Sequence, residues 1–126
     1  MAFQNGVAGE TYHWLRMRDA NSTTTNGIAV GSIFANGRVK RILWGYEVDP
    51  SADHVADIIL PGGTVTGALN LANHGGHASV GANQSLELIL GEDEPIYEVK
   101  FGDVIRIDNT TGSGAAGSAY ITVVVG

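Results

Sequence analysis

The sequence contains no cysteine, only three prolines among 126 residues, and few charged side chains. Without cysteine the chain has no disulfide, no thiolate nucleophile and no cysteine-ligated zinc or iron–sulfur centre. Its longest apolar run, Ala119–Val125, is much shorter than a membrane-spanning helix. The amino terminus has neither a basic region nor an apolar stretch, so we expect no signal peptide and synthesis in the cytoplasm.

Charge and glycine content narrow the class of protein further. The formal net charge is −6, and a general nucleic-acid binder needs a basic surface, so we expect no nucleic-acid partner. Charged residues make up 16% of the chain, below the quarter that is usual in globular proteins. Glycine is abundant at 18 residues, which suits many short strands joined by tight turns.

Short alternating or β-branched runs, bounded by glycine, asparagine and proline, predict strands along the whole chain. The predicted strands cover residues 11–17, 28–34, 39–48, 55–60, 64–71, 86–90, 96–101, 104–107 and 119–125. No convincing helix is present. We therefore predict an all-β fold, a single-domain β-sandwich that is jelly-roll-like with eight or nine short strands. Residues 1–10 are predicted to form an extended N-terminal arm, and residues 11–126 the sandwich domain.

Short segments of the sequence also predict a turn, a core face and a loop. Asn36-Gly37 separates two strand-like runs, which predicts a hairpin between them. In the second of these runs the face with Ile42, Trp44 and Tyr46 is the better core candidate. The polar segment 109–117 is predicted to be a long loop.

Histidine is the one residue type that suggests a metal. His74 and His77 are three residues apart, and His13 or His54 could complete a ligand set. The two glycines between His74 and His77 exclude a helix, so this spacing fixes no geometry. We expect two solvated imidazoles and no bound metal. A cupin-like metalloenzyme is the alternative interpretation.

Catalytic motifs are missing from the sequence. No Gly-x-Ser-x-Gly segment occurs, and Gly112-Ser113-Gly114 precedes a strand rather than the helix that a phosphate-binding loop requires. We therefore expect a protein that is not an enzyme and that has no cofactor.

The charges are unevenly distributed along the chain. Five of the seven basic residues lie before position 42: Arg16, Arg18, Arg38, Lys40 and Arg41. Nine acidic residues and no basic residue lie between Ile42 and Val99. One basic and one acidic region could pair with other copies of the chain or with a charged scaffold. The alternative is that folding of the sheets intermixes the two regions.

Taken together, the chain resembles the capsid decoration (cement) proteins of tailed bacteriophages, several of which are small β-sandwiches or jelly rolls. The resemblance rests on the arm 1–10, the segment Gly102-Asp103-Val104-Ile105-Arg106-Ile107 and the terminal strand 118–126. It implies a homotrimer or other small ring on the outer surface of a virion, bound to the major capsid protein, with no membrane partner. Phe3 and the five basic residues are then the candidate capsid or oligomer contacts.

A carbohydrate- or receptor-binding module is the alternative function on the same kind of fold. It would use Trp14 or Trp44 together with the polar loops 73–83 and 109–117. Because an aromatic sugar platform must be accessible, burial of both tryptophans would exclude this alternative.

Overall fold

The structure is a computed structural model that describes residues 9–91 and 94–126. Nine strands hold about half of these residues: β1 (Thr11–Met17), β2 (Ile28–Ser32), β3 (Gly37–Tyr46), β4 (Val55–Leu60), β5 (Gly63–Asn70), β6 (Leu86–Ile89), β7 (Glu98–Val99), β8 (Val104–Thr111) and β9 (Ala119–Val125). The other regular elements described are short 3₁₀ turns at Thr25–Gly27, Leu71–His74, His77–Ser79 and Pro95–Tyr97. No helix in these ranges is long and apolar enough to cross a membrane.

The strands form two antiparallel sheets. Sheet A has the order β1-β9-β3-β6, with the two-residue strand β7 pairing with β3, and sheet B has the order β2-β8-β4-β5. With β7 set aside, this is the order of a jelly roll, in which successive strands cross between two sheets. The predicted all-β sandwich with eight or nine strands is therefore confirmed.

The core lies between the two sheets, where the inward side chains of alternating strands meet. Ile42 and Val123 of sheet A and Ile58, Ile105 and Ile107 of sheet B are fully buried. Each such aliphatic side chain stabilises the fold by roughly 1.5–3 kcal/mol relative to an exposed one. These contacts make the sandwich a rigid support for its two outer faces and its two ends.

The predicted hairpin at Asn36-Gly37 is wrong. Strand β2 pairs with β8 in sheet B, whereas β3 pairs with β9, β6 and β7 in sheet A. The Asn36 side chain, which a two-residue hairpin turn would leave free, accepts a hydrogen bond from Phe101 N at 3.0 Å. The chain therefore changes sheets at this point.

Strand β3 carries the predicted core face, with one change. Ile42, Trp44 and Tyr46 are buried as expected. An irregularity in the pairing with β9 between Val39 and Arg41 shifts the alternation, so that Val39 is buried and Lys40 is exposed. The predicted loop 109–117 is shorter than expected because β8 continues to Thr111.

Candidate functional site

One end of the sandwich, where Gly9 and Glu10 lead into β1, brings distant segments together. Segment 33–36 lies against segment 101–103, because Ile33 N donates to Asp103 O and Gly102 N donates to Ile33 O, both at 2.7 Å. Strand β7 pairs with the first residues of β3, and Gly126 exchanges two backbone hydrogen bonds with Arg38. Residues from four parts of the chain therefore share this end: the start of β1, residues 33–38, residues 98–103 and Gly126.

The side chains at this end are apolar and charged, with Glu98 and Asp103 among them. We name five of the apolar and basic ones the arm-end surface: Phe34, Arg38, Lys40, Lys100 and Phe101. Phe34 and Phe101 leave 55% and 73% of their area exposed, although large apolar side chains are usually buried. A groove of about 620 Å³ beside them is lined by Arg38, Lys100 and the Pro61-Gly62 turn, among others. Aromatic and arginine side chains around a groove are typical of protein-binding surfaces.

One donor on the arm-end surface lacks an acceptor. Within the described part of the chain, Arg38 Nε is enclosed by protein and has no hydrogen-bond partner. A buried donor without an acceptor costs free energy, so this arginine is held at some expense to the stability of the fold.

The outer face of sheet A carries a second group of exposed side chains. Trp14 faces Thr122 across the β1–β9 pair, and Thr122 faces Leu43 across the β9–β3 pair. On the next rung Tyr120 lies opposite Gly45. Trp14 leaves 82% of its area in solvent, and Tyr120 48%.

Two adjacent depressions on this face share Tyr120 and Thr122 in their lining. One, of about 250 Å³, extends to Trp14 and Arg16 on β1. The other, of about 330 Å³, extends to Leu43 and Gly45 on β3 and to the segment 83–85. Gly45 has no side chain to fill the space next to Tyr120. We name the two depressions and the side chains that line them the Trp14 cleft.

An ion-pair network borders the Trp14 cleft on its next rung. Arg41 donates to Glu10 at 3.2 Å and to Glu87 at 3.0 Å, and also to the phenol oxygen of Tyr12. Glu87 and Glu10 both raise the pKa of the Arg41 guanidinium. Tyr12 and Arg41 lie on the rung of the buried Val124, and Glu87 lies opposite Leu43 on the rung before it. Ile89, which is opposite Arg41, is the next exposed apolar side chain on this face.

The predicted contact residues lie in three places. Arg38 and Lys40 are on the arm-end surface, Arg41 is paired with two carboxylates, and Phe3 lies outside the described residues. Arg16 and Arg18 lie towards the opposite end of β1, where Arg16 donates to Ser118 Oγ. Because β1 runs at about 3.3 Å per residue, the two basic groups are on the order of 20 Å apart.

The histidines are not brought together. His77 Nδ1 is 2.8 Å from Asp53 Oδ1, and His74 packs edge-on against the Trp44 ring. His13 is buried beneath Phe34 with ring centroids 4.1 Å apart, and His54 is buried in the interior. In residues 9–91 and 94–126, no group of three or more His, Cys, Asp or Glu side chains is placed to hold a metal ion.

His54 belongs to a buried hydrogen-bond chain that crosses the core. Trp44 Nε1 donates to the Tyr46 phenol oxygen at 3.0 Å, and that oxygen is 2.7 Å from His54 Nδ1. His54 Nε2 meets Asn109 Oδ1 on strand β8. The Asn109 amide then donates to two backbone oxygens of the β1–β2 connection, Ala20 O and Ser22 O, both at 2.9 Å.

The partners in this hydrogen-bond chain determine which atom donates the proton in each bond. Because Trp44 Nε1 can only donate, the Tyr46 hydroxyl gives its own proton to His54 Nδ1, and His54 Nε2–H donates to Asn109. This arrangement requires a neutral imidazole. Burial lowers the pKa of His54 and raises the pKa of the Tyr46 phenol, so both groups stay neutral. His54 is only 1% exposed, so a substrate cannot reach its imidazole. We therefore interpret this hydrogen-bond chain as structural.

The neutral His54 predicts that stability depends on pH. Its folded pKa lies below the unfolded value near 6.5, so the unfolded chain binds more protons once the pH falls below about 6.5. Burial also lowers the pKa of His13, which acts in the same direction. We expect the free energy of unfolding, measured by urea titration, to be flat between pH 8 and 7 and to fall between pH 6.5 and 5.

A flat profile over that window would contradict the neutral assignment. Asp53 acts in a separate window, because its hydrogen bonds with His77 lower its pKa and affect stability only at more acidic pH. The His54→Gln variant, which cannot titrate, should show a smaller decrease than the parent protein.

Comparison with known proteins supports the fold alone. No protein-family model matches the chain, and no curated protein sequence does. The crystal structure of FlhE aligns over 94% of this chain and 98% of its own, at 13% identity and a TM-score of 0.44. The Drosophila NLP-core, described as giving insight into pentamer formation and histone binding, aligns over 92% and 95% at 16% identity and a TM-score of 0.46. A serine protease of Aeromonas sobria matches 99% of this chain with 28% of its own, at 10% identity and a TM-score of 0.50.

Sequence reasoning missed part of both surfaces. Phe34 and Phe101 were not predicted as exposed binding residues, because each lies in or beside an apolar run. Tyr120 was a possible sugar-binding aromatic in the sequence, but its apolar strand favoured a place in the core. Arg16 offered a usable signal: it shares a face with Trp14 on β1, and a charged residue on an alternating face indicates solvent.

Proposed function

We propose that this protein is a non-enzymatic structural protein that decorates and stabilises a bacteriophage capsid. It is made in the host cytoplasm and binds to the outer surface of the virion as a small homo-oligomer. The observation that carries the proposal is the arm-end surface, where the exposed Phe34 and Phe101 lie beside a groove that is lined in part by Arg38 and Lys100. This surface is suited to binding another protein.

Charge supports an acidic partner surface. The protein as a whole carries a net charge of −6, and the arm-end surface holds three of its seven Lys and Arg side chains, Arg38, Lys40 and Lys100, next to the carboxylates of Glu98 and Asp103. Opposite charges on the major capsid protein would orient the decoration protein as it approaches.

The separation of the two basic groups suits a protein with two kinds of contact. We assign Arg38 and Lys40 to the capsid, together with the arm that contains Phe3. Arg18, at the other end of β1, is then available to a neighbouring copy. Several weak contacts of this kind add up through avidity when copies assemble on one shell.

Substitutions on the arm-end surface test the proposal. We expect Phe101→Ser to lower the affinity for undecorated phage shells at least about tenfold, since exposed aromatic anchors supply much of the binding energy at interfaces. Lys100→Gln should have a smaller effect that shrinks further at high salt. Attachment is measured by co-sedimentation of the protein with the shells.

Trp14→Ala is the matched control, because Trp14 is also a highly exposed aromatic but lies on the outer face of sheet A. If Phe101→Ser attaches to shells as well as the parent protein does, the proposed surface is contradicted.

Light scattering of the parent protein on a sizing column should give the mass of a trimer or other small ring. A monomer at all concentrations would contradict the homo-oligomer.

A further inference from the structure

We infer that the Trp14 cleft is a binding site for a neutral oligosaccharide. Trp14 lines one of two adjoining depressions, and Tyr120 lies where the two meet. Both aromatic rings are accessible. The site is separate from the arm-end surface and lies on a different part of the sandwich. It therefore adds a ligand to the proposed capsid function and does not depend on it.

The size of the cleft argues against a protein partner. It spans three strands, about 10 Å across, and two rungs, which gives a footprint on the order of 150 Å². A stable protein–protein interface buries about 800 Å² on each partner. The ion pair between Arg41 and Glu87 lies between the cleft residue Leu43 and Ile89, the next exposed apolar side chain on this face. The combined volume of the depressions is instead in the range of small-molecule sites, about 300–1,000 Å³.

The chemistry of the lining indicates which small molecule fits. A pyranose ring has an apolar face of C–H groups and a rim of hydroxyls, so it needs an aromatic surface next to neutral hydrogen-bonding groups. The cleft offers aromatic rings from Trp14 and Tyr120, hydroxyls from Ser85 and Thr122, and the Gln84 amide. Gln84 Oε1 accepts a hydrogen bond from Gly81 N at 3.0 Å, which orients the amide and leaves its NH₂ group as a donor.

Charge in the cleft favours an uncharged ligand over a cationic one. Among the described residues that line the two depressions, Arg16 is the only charged one, and its Nε and Nη2 both donate to Ser118 Oγ, which does not line the cleft. These lining residues include no carboxylate, so a cationic ligand would have no counter-charge there. The two depressions lie side by side and share Tyr120, which suits two linked sugar rings better than one.

Tryptophan fluorescence offers a direct test, because Trp44 is 2% exposed and Trp14 is the accessible tryptophan. The probes are soluble hexasaccharides of glucose (β-1,4- and α-1,4-linked), mannose, galactose, xylose and N-acetylglucosamine. We expect at least one to shift the emission and to bind in calorimetry with saturation. Trp14→Ala should weaken that binding about 30-fold or more, as expected for a central aromatic anchor. Tyr120→Ala should weaken it about tenfold.

Controls separate this site from the proposed function. Phe101→Ser should bind the saccharide like the parent protein while losing shell attachment. Trp14→Ala should attach to shells like the parent protein while losing saccharide binding. If no hexasaccharide binds to the folded parent protein, or if Trp14→Ala binds as tightly as the parent, the inference is overturned. Self-association that shields Trp14 from acrylamide as concentration rises, and that Trp14→Ala removes, would also overturn it.

Discussion

Gly27→Ala is expected to lower the free energy of unfolding by at least about 3 kcal/mol, enough to leave much of the protein unfolded. A Cβ atom on Gly27 would clash with the backbone carbonyl group of Ser22 and would lie 3.1 Å from Asn109 Nδ2. Backbone atoms cannot rotate away as a flexible side chain can. Ser22 O is also held in place, because it accepts a hydrogen bond from the Asn109 amide at 2.9 Å.

The measurement is urea-induced unfolding, followed by far-ultraviolet circular dichroism, with Gly81→Ala as the matched control. A Cβ on Gly81 would meet its nearest neighbours at 3.9 and 4.0 Å, which is ordinary contact, so a change within about 0.5 kcal/mol is expected. Stability of Gly27→Ala equal to that of Gly81→Ala would contradict the close approach between Gly27 and Ser22.

The strands of this fold could be predicted from the sequence because each carries its own signal. Strands β1, β4 and β9 begin and end at the predicted residues, since apolar alternation and flanking turn residues are local features. Pairing is not local. The Asn36-Gly37 signal predicted a hairpin, but the Asn36 side chain binds Phe101 N, a residue far along the chain, and β2 pairs with β8.

The candidate surfaces could be predicted only in part, because they too depend on contacts between distant parts of the chain. Trp14 and Trp44 both lie in alternating apolar strands, yet one faces solvent and the other the core. The outcome depends on which face of sheet A receives sheet B, and that is a property of the assembled sandwich. The arm-end surface likewise forms only when the start of β3 meets strand β7 and the turn at Phe101.

The positions of charged residues along the sequence also do not determine where their charges lie in the folded protein. The basic segment before position 42 and the acidic segment after it are distinct in sequence, but antiparallel pairing places Arg41 opposite Ile89 and within reach of Glu87. Arg38 similarly faces Glu98 in register. Folding therefore intermixes the two regions in part, which is the alternative that the sequence left open.

The buried histidine gives the second large effect. We expect His54→Ala to lower the free energy of unfolding by about 3–4 kcal/mol, because it leaves a cavity and removes the partner of two buried polar groups. Tyr46 would lose the acceptor of its proton, and Asn109 Oδ1 would lose its donor. Urea unfolding at pH 8 isolates this effect from the titration of the imidazole.

His77→Ala is the control, since His77 also contacts one polar side chain, Asp53, but that pair is largely exposed and exposed pairs contribute little. A loss below about 1 kcal/mol is expected for it. The double variant His54→Ala/Tyr46→Phe should cost less than the sum of its two single variants, because the hydroxyl loses its partner once His54 is gone. Strict additivity would show that Tyr46 and His54 are not energetically coupled. The chain from Trp44 to Asn109 would then not stabilise the sandwich as a unit.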